Sequence, residues 1–422
     1  MPASAKDKKH GAAEAAPESN LAVLGGIPTF AEPIHVGRPN IGNRERFLER
    51  IETMLDRRYL TNSGPFEREF EQRLAEVLDV RHCVAMCNAT IALEIAIRAL
   101  NLTGEVIVPS FTFVATAHAL QWQQITPVFC DIDPLTHNID PQKIEALITP
   151  RTTGILAVHL WGRPCAIREL QAIADAHGLA LLFDAAHAFG CKYGTRKVGG
   201  FGRAEIFSFH ATKFISAGEG GAVATDDAAL AERMQLMKNF GFAGYDNVIS
   251  IGTNGKMNEL SAAMGLTHLE SAEEFAHTNR TNFATYLHHL SGIRGLSLLR
   301  YDEASAPNYQ YIVVEVDARE MGLTRDQLWS VLHAENVLAR RYFYPGVHRM
   351  EPYRSHFPDA SALLPHTEAV ADRVLVLPTG TGVTTADIQK ICRLIASAVE
   401  HGREISAILL PQPVSQLSDQ LF

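Results

Sequence analysis

The sequence has no apolar run of membrane-spanning length, and its first residues lack the apolar stretch of a secretory signal. Both absences argue against a helical membrane protein and lead us to expect a cytoplasmic one. Cysteine is scarce. Cys83, Cys87, Cys130, Cys165, Cys191 and Cys392 are the only six in 422 residues, and none has zinc-ligand spacing. Their apolar or helical contexts predict reduced, mostly buried thiols and no bound metal. Excess charge is also lacking: 38 basic against 47 acidic side chains leave a net charge of −9. That balance offers no broad basic surface to nucleic acid or an anionic membrane, although a local pocket for a small anion is compatible with it. Internal repeats and low-complexity linkers are absent too. What remains is an ordinary globular composition, 46% hydrophobic and 20% charged, in a chain long enough for two or three domains.

Short runs rich in Val, Ile and Phe punctuate the first half: HCVAMC, EVIVPS, TPVFCDID, TGILAVHL, LALLFDAA, EIFSFH and GAVATD. Between several of them lie stretches of helical periodicity such as ATIALEIAIRAL and IRELQAIADAHG. The alternation predicts an α/β fold, a large and mostly parallel sheet covered by helices on both faces. A long helical region over residues 258–290 leads to YQYIVVEVD, TRDQLWSVLHAEN and VLARRYFYP, the pattern of a smaller C-terminal α+β domain with its own sheet. We expect a disordered, small and polar tail over residues 1–20, a large domain over 21–262, a small domain over 263–405 and a tail over 406–422.

Lys213 follows the strand-like EIFSFH and sits among small residues and glycines, where an α/β protein exposes side chains to ligands. Upstream by 29 positions, the apolar run LALLFD ends in Asp184. A lysine amine and a strand-end carboxylate are the pair that pyridoxal phosphate needs. The amine forms a Schiff base, and the carboxylate keeps the pyridine nitrogen protonated. Asn88, Ala89 and Thr90 open a helix directly after a strand, which is either a phosphate site or a plain N-cap. Ser208 could give its hydroxyl to the same phosphate. Phe113, just past a strand, could stack on a planar ring or belong to the core. His187, three residues after Asp184, could hydrogen-bond the cofactor's phenolic oxygen or the carboxylate.

These segments, with RYLTNSGPFEREFE, NATIALEIAIRAL, VIVPSFTFVATAHAL, PVFCDIDP, DAAHAFG, SFHATKFISAGEGGAV and GKMNELSAAMGL in that order, make the chain resemble a known family over residues 24–399. It is similar to the sugar-nucleotide aminotransferases of the DegT/StrS family, pyridoxal-phosphate enzymes of the aspartate-aminotransferase fold. The resemblance implies that Lys213 carries the cofactor and Asp184 pairs with its ring nitrogen. It also implies that Ala89, Thr90 and Ser208 hold the phosphate, with Phe113 stacked on the ring. Asn254 matches an asparagine that reaches the neighbouring subunit's phosphate, which implies a homodimer with shared sites. The chain departs from the family at Gly255 and Lys256, where Tyr and Arg are usual, and at His187, where Gln is commoner. That histidine also occurs in members that aminate carbon 4.

By this resemblance L-glutamate is the amino donor and a nucleotide-linked keto sugar the acceptor, in ping-pong order, on a route to deoxyamino sugars such as those of antibiotics. The lean is to dTDP-4-keto-6-deoxyglucose aminated at carbon 4. Amination at carbon 3 and UDP-linked sugars remain alternatives. Tyr344 and His348 match a segment that approaches the sugar, with packing of the small domain as their plain alternative. Arg340 and Arg341 are candidates for the diphosphate or for a surface role. Dehydratases of the family replace the lysine with histidine, so Lys213 argues against dehydration. A non-catalytic sensor is the reading from a different class.

Overall fold

The computed structural model describes residues 21–409. The expected tail over 1–20 lies outside the described residues, as do residues 410–422 of the expected C-terminal tail; within the described part, Gly402–Ile408 is helical.

The α/β class expected from the sequence is the one observed. Seven strands form the main sheet: β1 (His82–Met86), β2 (Glu105–Pro109), β3 (Thr126–Cys130), β4 (Thr152–Val158), β5 (Ala180–Asp184), β6 (Ala204–Ser208) and β7 (Gly221–Thr225). Their order across the sheet is β1-β7-β6-β5-β4-β2-β3. All neighbours are parallel except β7, which runs antiparallel to both β1 and β6. Helices on both faces bury nearly every residue of the central strands, so these read as unbroken apolar runs rather than as alternation.

The helices are set by their ends. Helix α1 (Arg44–Arg57) is capped by Asn43, whose side chain accepts from the Arg46 amide. Helix α2 (Pro65–Leu78) has Pro at its first position and no local cap. Glu259, distant in sequence, fills that role by accepting from the Phe66 and Glu67 amides at 3.0 and 2.8 Å. Helix α3 (Ala89–Ala99) is capped by Asn88, which accepts from the Ile91 amide at 2.9 Å. The helical region expected over 258–290 is two helices, Glu259–Glu270 and Ala272–Leu290. They are broken at Ser271, whose φ of −97° and ψ of 4° depart from helical values.

A second sheet of three antiparallel strands, Leu296–Leu298, Ile312–Val316 and Val374–Leu377, packs against helices Arg325–Ala334 and Thr385–Glu400. Its core includes Leu328, Val331, Leu332, Ile388, Ile391 and Ile395. Leu21, Phe30 and Ile34 belong to the same cluster, and Ile34–His35 pairs in parallel with Val337–Leu338, so the first described residues pack on this unit. The two units meet at the carboxyl edge of the large sheet. There Phe111, Trp161, Tyr311, Phe343 and Val376 form one buried cluster. Aromatic surface at that junction both glues the units and excludes water from what lies beneath.

Candidate active site

Parallel strands deliver their C-terminal ends to one edge of a sheet, and there the sequence-predicted residues gather. Asp184 ends β5 and is buried. Its carboxylate accepts from the Thr116 hydroxyl at 2.9 Å and from the Ala186 amide at 3.1 Å. Among the described residues no cation lies within ion-pair distance of it. Burial pushes the carboxyl up, and the two donated hydrogen bonds and the more distant Lys213 and His159 only partly oppose that.

Lys213 lies in the turn after β6, held by its own amide on the His210 carbonyl at 2.8 Å and by Gln310 on the Thr212 carbonyl at 3.3 Å. As a residue it is half-buried, yet protein atoms surround its amine. That desolvation lowers its pKa to about 8, against the opposing pull of Asp184. Among the described residues its Nζ has one hydrogen-bond partner, the Tyr311 hydroxyl at 3.3 Å.

His187 completes the cluster. Its Nδ1 accepts from the Trp161 amide at 3.3 Å, so in the neutral ring the proton sits on Nε2. Burial and the nearby Lys213 keep its pKa well below the usual histidine range. The ring stacks on Trp161 and lies 4.5 Å from the Tyr311 ring. Gly162, at φ +80°, allows this approach, because a Cβ there would meet the His187 carbonyl oxygen at 2.9 Å.

The start of α3 lies beside this cluster's sheet edge. Asn88 spends its side chain on the cap, which leaves the Ala89 and Thr90 amides without a protein acceptor among the described residues. Gly221, first in β7, lets that strand pass directly beneath, since a Cβ there would come within 2.5 Å of the Ala89 nitrogen. Cap and anion binding are therefore compatible: the side chain takes one amide and the helix start leaves others open. Ser208, buried at the end of β6, accepts from the His210 amide at 3.4 Å. Phe113 is 58% exposed, in the turn before the helix that carries Thr116.

The remaining predicted residues are placed apart. Asn254 is exposed in a bridge with Asn239. Its neighbour Gly255 runs against α3, where a Cβ would meet Ile95 and Ile91 at 2.9 and 3.0 Å. That contact explains why no larger side chain stands there. Lys256 lies over the Phe240 ring and donates to Asn239 at 3.1 Å. Tyr344 is held between the guanidinium groups of Arg325 and Arg341, at 4.8 and 5.2 Å from its ring centre. His348 is buried between Ser110 at 2.6 Å and Glu368 at 2.7 Å, tying the end of β2 to the small unit. Neither is brought to the Lys213 cluster. Conversely, sequence reading missed Thr116, Trp161 and Tyr311. Thr116 lies inside a motif read for Phe113 and for its resemblance, and Tyr311 inside a segment read only as part of the small sheet; long-range contacts give them polar roles.

A family model, the DegT/DnrJ/EryC1/StrS aminotransferase family, matches residues 42–396. A dTDP-4-amino-4,6-dideoxy-D-glucose transaminase of Escherichia coli is 38% identical over 86% of this chain and 98% of its own length. A GDP-perosamine synthase of Caulobacter vibrioides is 35% identical over 85% of this chain and 96% of its own. Among solved structures, DesI in the presence of its TDP-sugar product superposes with a TM-score of 0.88 at 50% identity, covering 92% of this chain and 98% of that one. With the match spanning most of its length, the chain belongs to the DegT/DnrJ/EryC1/StrS aminotransferase family.

Proposed function

We propose that this aminotransferase uses pyridoxal phosphate to move an amino group from L-glutamate to carbon 4 of dTDP-4-keto-6-deoxyglucose, giving the 4-amino-4,6-dideoxy sugar. The observation that carries the reading is the Lys213–Asp184 pair: an amine lowered to about 8 beside a buried carboxyl that touches only uncharged donors. A buried carboxylate without a cation in contact is an expensive arrangement unless a ligand supplies the positive partner. A pyridinium N–H fits that demand. The free Ala89 and Thr90 amides above Gly221, with Ser208 nearby, fit the phosphate, and the exposed Phe113 fits a ring face.

Bound there, the cofactor supplies an electron sink for negative charge developing at the substrate's α-carbon. The chain supplies the rest. Asp184 holds the ring nitrogen's proton. Neutral Lys213 Nζ takes the α-proton from the amino donor and, in the second half-reaction, returns a proton to the sugar carbon. His187, with its proton on Nε2, donates to the cofactor's oxygen. Trp161, Tyr311 and Phe343 keep water from the amine.

Two finer points belong to the same reading. Asn254 shares an exposed segment with Phe240, Phe242, Tyr245, Val248, Ile249 and Ile251. So much unshielded apolar surface beside a site residue fits a second copy of the chain, each Asn254 serving the partner's phosphate in a homodimer. Among the described residues no helix is long and apolar enough to cross a membrane. Similarity to sugar-nucleotide transaminases supports a cytoplasmic enzyme of deoxyamino-sugar and antibiotic-sugar synthesis.

The test is spectroscopic. L-glutamate should bleach the visible absorbance of the cofactor-loaded protein, and the dTDP-linked 4-keto sugar should restore it. Restoration only by a GDP- or UDP-linked sugar, or by a 3-keto sugar, would replace the substrate assignment. No bleaching by any amino donor would end the aminotransferase reading and favour a sensor.

A further inference from the structure

We propose that Tyr311 is a second catalytic residue, the hydrogen-bonding partner of the Lys213 amine through its cycle of taking up and giving back a proton. The inference rests on the transamination reading. Tyr311 immediately precedes the strand Ile312–Val316 of the small sheet, whereas Lys213 belongs to the large one, so no sequence proximity links them. Its hydroxyl is 3.3 Å from Lys213 Nζ and has no other hydrogen-bond partner among the described residues. Everything else about the side chain is fixed. The ring packs edge-on against Trp161 with centres 5.3 Å apart, and lies 4.5 Å from the His187 ring. The backbone is held by the Tyr301 hydroxyl, which donates to the Tyr311 carbonyl at 2.8 Å. A buried hydroxyl whose one polar contact is the reactive amine is placed for chemistry rather than for packing.

The proton accounting is simple. With the free amine neutral, an N–H of Nζ donates to the Tyr311 oxygen, which turns the nitrogen lone pair away from the phenol and aims it. When Nζ takes the α-proton, the C–H bond breaks, its electron pair stays with the substrate, and nitrogen becomes an ammonium. The N–H donated to the Tyr311 oxygen persists and strengthens as the nitrogen gains charge. Return of the proton reverses the change. Tyr311 keeps its own proton throughout, since burial holds the phenol well above its ordinary range. It therefore steadies both forms of the base without acting as a second base.

The test compares Tyr311→Phe with Tyr309→Phe. Tyr311→Phe keeps the ring and should lower kcat by about 10- to 100-fold while leaving KM for both substrates within about twofold. The primary isotope effect with α-deuterated L-glutamate should rise, because proton transfer becomes the slow step. Cofactor-free Tyr311→Phe should also capture pyridoxal phosphate more slowly, since its Lys213 amine is no longer aimed. Tyr309→Phe removes a hydroxyl two positions away that bonds Glu303 and not Tyr311, and should change neither the isotope effect nor capture. Wild-type values for Tyr311→Phe, or the same change in both variants, would overturn the proposal. A wild-type protein inactive with every keto sugar would sink the functional reading alone, and the capture rate would still read the contact.

Discussion

Two enclosed lysines face carboxylates in this protein, and the fold treats them in opposite ways. Lys238 is 1% exposed and spends all three N–H groups: on Glu67 and Glu71 at 2.8 Å each and on the Ala85 carbonyl at 3.0 Å. It braces α2 against the edge strand β1, and Glu71 also accepts from the Ala85 amide at 2.8 Å. Lys213 makes one long hydrogen bond and no ion pair, its carboxylate standing off. A lysine with every donor satisfied is a strut, because any other partner would have to displace strong, charge-assisted bonds. A lysine deprived of water and given a single weak contact frees its lone pair at a lower pH than an exposed lysine does. Burial alone therefore does not mark a reactive lysine; burial without compensation does.

Exchanging the roles of these two lysines should separate activity from stability. Lys213→Ala should abolish turnover, a loss on the order of 10³- to 10⁴-fold or more, with an unfolding midpoint no lower than wild type. Retained turnover would remove Lys213 from the chemistry. Lys238→Met should do the reverse. It strands Glu67 and Glu71, with burial already raising the Glu67 carboxyl, and should cost about 3–5 kcal/mol in denaturant unfolding. Adding Glu67→Gln should recover part of that loss. If Lys238→Met unfolded like wild type, the strut description would be wrong.

A subtler pair of measurements reads the standoff between Lys213 and Asp184. In cofactor-free protein, Lys213 with its pKa near 8 is charged below that pH and neutral above it. The rate of capturing pyridoxal phosphate should thus rise as pH increases through about 8 and then level off. Asp184 raises that pKa, so Asp184→Asn should move the midpoint lower, and an upward or absent shift would refute the coupling. The smallest effect belongs to Asn88→Ala, which loses the α3 cap and should cost about 1 kcal/mol of stability. On the proposed reading the side chain serves the helix and the Ala89 and Thr90 amides hold the phosphate, so cofactor affinity should fall less than stability.

Much of this was legible in the sequence for a physical reason. Central strands of a parallel sheet are apolar throughout, so LALLFD and EIFSFH declare themselves as strands, and their polar final residues stand out as strand ends. Asp184 and Ser208 are conspicuous for that reason, and Lys213 for its place among the small residues and glycines that follow. Ser271 was not, since nothing local in a continuous helical pattern announces a break. Tyr344 and His348 were read through a motif, and their surroundings come from segments far away: Arg325, Ser110 and Glu368.

The sequence by itself determined the alternation of elements, the strand ends and the residue types waiting there, because periodicity and turn chemistry are local. Tertiary structure alone decided which of those residues lose water and which find partners. Asp184 meets Thr116 across 68 positions, Lys213 meets Tyr311 across 98, and Lys238 meets Glu67 across 171. Desolvation and pairing are properties of the packed neighbourhood, and that neighbourhood leaves one lysine amine sparsely bonded and makes the other a brace.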